Sequence, residues 1–309
     1  MKGLIINLCV WCISPILAFA AAPEIIAGKT VFKHVMTMGS KGTGAGQFRY
    51  VEDFAVDSRG RLLVTDAKNS NVQIFDKFTG EYLSSFEGGS AGRFEKPEGI
   101  AIDGLGNIYI ADYVNGYIKK YDENFNHIMT FSDFGVEPGE NMESEFMTIS
   151  NNRLYMADKG NHRVDVFDLD GKFLFLFDNN NTMDTPQAAK SSSDGDIYVV
   201  DMGNDRLLHF NSEGELKRRL GKKGKQVGEF DKPVGMAIDS KGYIYVSEAH
   251  NDRIQVFDKD FTPLALWGEH GSGEGQFKNL HGLLVDERGY VFAADTGNNR
   301  IQVFAPINP

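Results

Sequence analysis

A short pattern near the carboxyl end, Asp295-Thr296-Gly297-Asn298-Asn299-Arg300, constrains this chain more than any other feature, because it comes back five times upstream. The acids are Asp66, Asp112, Asp158, Asp201, Glu248 and Asp295. Three positions after each stands an asparagine: Asn69, Asn115, Asn161, Asn204, Asn251 and Asn298. Five positions after it stands an arginine in four copies: Arg163, Arg206, Arg253 and Arg300. Asn71 and Tyr117 hold that place in the first two copies. Successive acids are 46, 46, 43, 47 and 47 residues apart. A fixed period of about 20–50 residues is the signature of a repeat architecture, in which each unit buries its apolar face only against its neighbours.

The first unit holds four short runs of β-branched and aromatic residues, over 51–57, 61–66, 71–76 and 81–86. Turn residues such as Asp57-Ser58-Arg59-Gly60 separate them, which predicts strands joined by tight turns. No segment keeps a helical period, so almost no helix is expected. Further units begin near Glu98, Glu145, Pro186, Val234 and His281. The last has only three strands before Pro309. Its missing strand has a candidate at the other end of the chain. The glycine-rich stretch from Gly268 to Phe277 resembles that from Gly39 to Phe48, so 31–38 matches the outermost strand of a unit. The expected fold is therefore all-β: a six-bladed β-propeller of four-stranded antiparallel blades, its ring closed by the N-terminal strand on the last blade.

Apolar residues at 41% and aromatics at 12% suffice for a sizeable core in one domain over 21–309. The net charge of −11 argues against nucleic acid as a partner, since phosphate binding needs clustered Lys and Arg. Residues 1–20 are expected to be a signal peptide: Met1-Lys2, an apolar run over 4–17, then Ala18-Phe19-Ala20 as a small-x-small cleavage site. An uncleaved membrane anchor is the alternative. Cys9 and Cys12 both lie in this segment, so the mature exported chain would have neither thiol nor disulfide.

The acid-Asn-Arg copies resemble the NHL repeat family, most strongly in 251–257 and 298–304, where Ile-Gln-Val-Phe follows the arginine. The lead-ins Phe94-Glu95-Lys96-Pro97 and Phe230-Asp231-Lys232-Pro233 match it as well. The resemblance implies a six-bladed propeller, and it implies binding modules and a few enzymes. One six-bladed relative, the peptidyl-hydroxyglycine amidating lyase, is a metal enzyme whose metal histidines sit at several blade starts. Here only His281 lies at such a place, with Pro97, Pro186 and Pro233 at or near it in other copies.

Topology puts the acid-x-x-Asn-x-Arg turns and the glycine-rich lead-in loops on one rim around the channel mouth. Three candidate sites follow. The ring of acids is expected to be structural, accepting hydrogen bonds across its turns and pairing with the arginines; a metal-binding ring is the alternative. The histidines His162, His250 and His281, with His270 in a lead-in loop, offer imidazole ligands, but no His-x-His spacing exists. The third candidate is a recognition rim of Tyr50, Tyr113, Tyr117 and Phe146, expected to meet solvent, with Lys96, Arg163, Arg206, Lys232, Arg253, Arg300 and His281. The lead-in over 132–145 is acidic and that over 221–229 is lysine-rich, so the rim is expected to be charged unequally.

No nucleophile elbow, phosphate loop or zinc-protease motif occurs. The expectation is an exported monomer that binds a protein, peptide or glycan on this rim, with no cofactor. The alternative is a metal-dependent lyase or hydrolase at the channel mouth, holding zinc or calcium.

Overall fold

The computed structural model describes residues 31–307. The expected signal segment and both cysteines lie outside the described residues. Apart from short 3-10 turns at Gly89–Ala91, Met202–Asn204 and Thr296–Asn298, the described regular structure is β-strand.

Six inner strands surround the axis: Val51–Val56, Pro97–Ile102, Ser144–Ser150, Pro186–Ser191, Pro233–Ile238 and Leu280–Val285. Each is the first strand of an antiparallel four-stranded blade. Adjacent inner strands touch all the way round, the sixth against the first. In blade 6 the outermost strand is Val31–Met38, hydrogen-bonded antiparallel to Arg300–Ile307. The two ends of the described chain thus share one blade, as the matching glycine-rich turns predicted. Phe32 stacks on Trp267 of blade 5 at 4.5 Å between ring centres, which ties the closing strand to its neighbour as well.

The core is not central. It is divided into clusters, one at each junction between blades. A sheet that is apolar on both faces has no other way to bury them. Most junctions begin with a buried phenylalanine from the lead-in loop, set against the aromatic residue that ends the third strand. Phe48 meets Phe75 at 5.7 Å, Phe230 meets Phe257 at 6.0 Å and Phe277 meets Phe304 at 5.7 Å.

Close to the axis the strands approach so tightly that side chains do not fit at some positions. A Cβ on Gly99 would lie 2.3 Å from the Glu145 carbonyl oxygen, and one on Gly282 would lie 2.1 Å from that of Glu52. Blade 1 has Asp53 at this level. Lys190 of blade 4 reaches across the ring to it, 3.2 Å from Nζ to Oδ2, and plugs the channel with an ion pair between opposite blades.

Candidate functional site at the channel mouth

Two sets of six-fold positions face the mouth, and they behave differently. The outer set is the acid-Asn-Arg turn. All six acids are fully buried. Each accepts backbone N–H groups from its own lead-in loop: Tyr50 N–H donates to Asp66 at 2.9 Å, Lys96 N–H to Asp112 at 2.8 Å, and Lys278 N–H to Asp295 at 2.9 Å. In every blade but the second, where the Asn115 amide nitrogen donates only to Asp112 among the described residues, the asparagine amide bridges from the acid to a lead-in carbonyl, as Asn298 does to Asp295 and Gly271. Arg300 completes the knot with Nε on Asp295 at 2.6 Å and Nη2 on the Gly273 carbonyl at 2.7 Å. Arg206 repeats this on Asp201 and Thr182.

Arg163 and Arg253 are buried and donate to three lead-in carbonyls each. In blade 2, where Tyr117 replaces the arginine, Lys119 two residues on takes over, 3.5 Å from Asp112 and bonded to the Gly92 and Arg93 carbonyls. These arginines are therefore staples of the loops. Their expected role as donors to a ligand is corrected: their guanidinium groups are engaged by the protein itself.

The inner set is the second residue of each inner strand. Because the strands begin one residue before several of the sequence-predicted starts, the equivalent residues are Glu52, Glu98, Glu145, Gln187, Val234 and His281. His281 therefore aligns with the residues that follow the prolines, one position beyond them. All six line one cavity of about 250 Å³, together with Tyr50, Lys68, Lys96, Lys159, Met202 and Lys232.

The electrostatics of this cavity are dominated by burial. Glu52, Glu98 and Glu145 are at most 2% exposed. Burial, then the Glu145 charge, drives the Glu52 carboxyl well above the usual carboxylate range. Burial and Glu52 push Glu98 up to about 7. Burial and Glu98 raise Glu145 well above its ordinary value. Glu98 and Glu145 act on one another's titration, so the protonation of the two carboxyl groups is coupled. Lys96 pairs with Glu98, and Lys159 lies 3.0 Å from Glu145 and 3.4 Å from Glu143. Burial opposes the Lys159 charge, but Glu145, Tyr113 and Glu98 outweigh it and raise its pKa. His281 Nδ1 is 2.8 Å from Glu52, and burial lowers the imidazole to about 4, so it is neutral near pH 7.

Of the expected rim, Tyr50, Lys96, Lys232 and His281 reach this cavity. Tyr113 stands beside it, under Lys96 Nζ at 3.5 Å from its ring centre. Tyr117 is half-buried outside the lining, and Phe146 is corrected outright. It has no exposure, because it occupies the level of Asp53 and packs among Ala188, Val200 and Met236. His162 and His250 face Asp184 and Asp231 on separate loops. Among the described residues no group of three or more His, Cys, Asp or Glu side chains is gathered to hold a metal ion. Sequence reasoning missed Glu52, Glu98, Glu145, Gln187 and Lys159. Aligning the six units residue by residue would have put Glu52, Glu98 and Glu145 in one column, three acids at a position the strand pattern buries.

Comparisons with known proteins agree with this architecture. A family profile described as a 6-bladed beta-propeller matches residues 188–269, and the NHL repeat profile matches residues 48–75. The chain carries NHL repeats on a six-bladed propeller. Human NHL repeat-containing protein 3 is 42% identical over 48 residues, which cover 16% of this chain and 14% of that protein. The shared stretch is thus a small part of the curated relative's length. A Bacteroides thetaiotaomicron structure of unknown function superposes with a TM-score of 0.72 at 15% identity, over 90% of this chain and 77% of that one. A streptogramin B lyase superposes with a TM-score of 0.64 at 12% identity, over 90% and 98%. At such identities the likeness is one of fold. The NHL match takes in the first acid-Asn turn, with Asp66 and Asn69, together with Glu52 of the inner set. Among the described residues no helix is long and apolar enough to cross a membrane.

Proposed function

We propose that this propeller is a binding module whose partner, a protein or peptide, docks on the mouth face and places one group in the mouth cavity. One observation carries the reading. Six positions made equivalent by the repeat hold Glu52, Glu98, Glu145, Gln187, Val234 and His281, while the turns around them hold one structural solution. Three buried carboxyl groups, an imidazole and four lysines gathered on one cavity at the mouth are more charge than closing the ring requires. The cavity, at about 250 Å³, falls below the range of about 300–1,000 Å³ usual for small-molecule sites, which suits a single inserted group.

A glycan is the less favoured ligand. Lys68 Nζ stands over one face of the Tyr50 ring at 4.3 Å and Lys96 over one face of the Tyr113 ring, so on each ring a sugar would compete with a lysine for stacking. A metal-dependent lyase does not fit these residues. The lining has one imidazole, held by Glu52, and four lysines that repel a cation. The apolar run over 4–17 and Ala18-Phe19-Ala20 support export, which sequencing the amino terminus of the mature protein would check.

The binding reading is tested by capture. The parent chain, Lys232→Glu at the mouth and Lys241→Glu on the opposite face are immobilised and exposed to extract of the native cell envelope. A partner retained by the parent and Lys241→Glu but lost by Lys232→Glu is the expected outcome. Equal capture by all three, or none by any, would sink the reading.

A further inference from the structure

The polar groups in the two halves of the mouth are not partnered alike. In blades 1 to 3 each buried acid has its own partner: Glu52 has His281, Glu98 has Lys96, and Glu145 has Lys159. Blades 4 and 5 contribute Gln187, Met202 and Val234, with a single cation, Lys232. The Lys232 ammonium makes no hydrogen bond or ion pair among the described residues, although it lines the cavity and acts on the charge state of His281. Its backbone is held in the left-handed region at φ 53°, where a non-glycine residue is costly, and its N–H is fixed on Asp205 at 2.8 Å. Lys68, over the Tyr50 ring, also lacks a carboxylate partner.

A half-buried ammonium in a cavity walled by Val234 and Met202 is poorly hydrated and sees a low dielectric, so an incoming anion is attracted far more strongly there than at the open surface. A single negative charge suits the site better than two, because Glu98 and Glu145 form the far wall. Met202, half-buried over the buried Val234, leaves apolar surface on this side of the cavity for a short side chain.

We propose that the mouth cavity receives the terminal carboxylate of a peptide or protein partner, with Lys232 as its receptor, Lys68 as the second cation and Val234 with Met202 as the seat of the last side chain. This rests on the binding-module reading and names the group that is inserted.

The probes are N-acetyl-alanyl-alanine, its C-terminal amide and inorganic phosphate, titrated against the folded chain and followed by the NMR shifts of lysine side chains. The free acid is expected to bind at least tenfold more tightly than the amide or phosphate and to move the Lys232 resonances. Lys232→Met should weaken the acid at least tenfold, Lys232→Arg should restore it, and Lys222→Met, at a lysine 77% exposed on a lead-in loop, should leave it unchanged. An unchanged melting temperature shows that each variant is folded. Equal binding of acid and amide, tighter binding of phosphate, or a Lys232→Met variant that holds the acid as the parent does overturns the proposal. Capture that still depends on the mouth would then leave the binding reading standing, so the two failures separate.

Discussion

The turn ring and the mouth ring lie within a few residues of each other in every blade, yet they solve opposite problems. In the turn ring each buried acid is saturated by groups of its own blade: backbone N–H groups of the lead-in, an asparagine amide and, in most blades, an arginine. Nothing is left over for a ligand, and the arrangement is copied with little change. In the mouth ring Glu98 and Glu145 pair with lysines of their own blades, but Glu52 pairs with His281 of blade 6, the three carboxyl groups act on one another across blades, and the charges are matched on one side only. A buried polar group satisfied locally fixes a loop, whereas one satisfied across blades, or left unsatisfied, is free to answer to something bound.

Four experiments would break or sharpen this contrast. The largest effect is expected from deleting Val31–Met38, which belongs to neither ring. It strips an eight-residue strand from Arg300–Ile307 and uncovers Trp267 and Phe304. Cooperative thermal unfolding should be lost; a melting curve like that of the parent would refute ring closure at this strand.

Next comes the turn ring. Asp201→Ala leaves the Asp184 N–H, the Asn204 amide and the Arg206 guanidinium without their acceptor in a fully buried place. Removing one partner of a buried pair costs about 3–5 kcal/mol, measurable by urea unfolding. A cost near that of a surface change would mean that the turn ring is not what holds the loops.

The mouth ring should respond to pH instead. The Glu98 carboxyl is raised to about 7 from an ordinary 4.5. Its protonated form is the one that folding favours, so its contribution is complete below about pH 4.5 and is lost as pH climbs through about 7. Glu98→Gln removes that dependence. The variant should gain on the parent as pH rises from about 5 to about 8, by about 3 kcal/mol, with a midpoint that belongs to the Glu98–Glu145 pair. A difference that stays flat with pH would show that burial does not hold Glu98 protonated near neutral pH.

The smallest effect is expected at Lys232. Because its ammonium has no partner in the protein, Lys232→Met should change stability by less than about 0.5 kcal/mol in the same unfolding assay. A larger loss would place Lys232 with the structural residues and remove the asymmetry of the mouth.

Much of this was legible before any coordinates. The period of the acids gave six units, and the match between the glycine-rich stretches 39–48 and 268–277 placed the closing strand. Recurrence in every unit marked the acids as structural, and their hydrogen bonds bear that out. Arg163, Arg206, Arg253 and Arg300 were misread as donors to a ligand because a motif shows which residues recur and not which way they point. Phe146 was misread because one residue along a strand separates the mouth, at Glu145, from the packed level of Asp53.

What the sequence determined alone is therefore everything the repeat makes local. A turn, a lead-in loop and a hairpin satisfy their own hydrogen bonds within one unit, and the pattern that does so is written in consecutive residues. The mouth is different in kind. Glu52 meets His281, Glu98 and Glu145 shift one another's titration, and Lys190 crosses the axis to Asp53, all between residues from different blades. Such contacts exist only once the ring has closed, because closure alone brings distant copies of one position to within bonding reach and shuts them away from water.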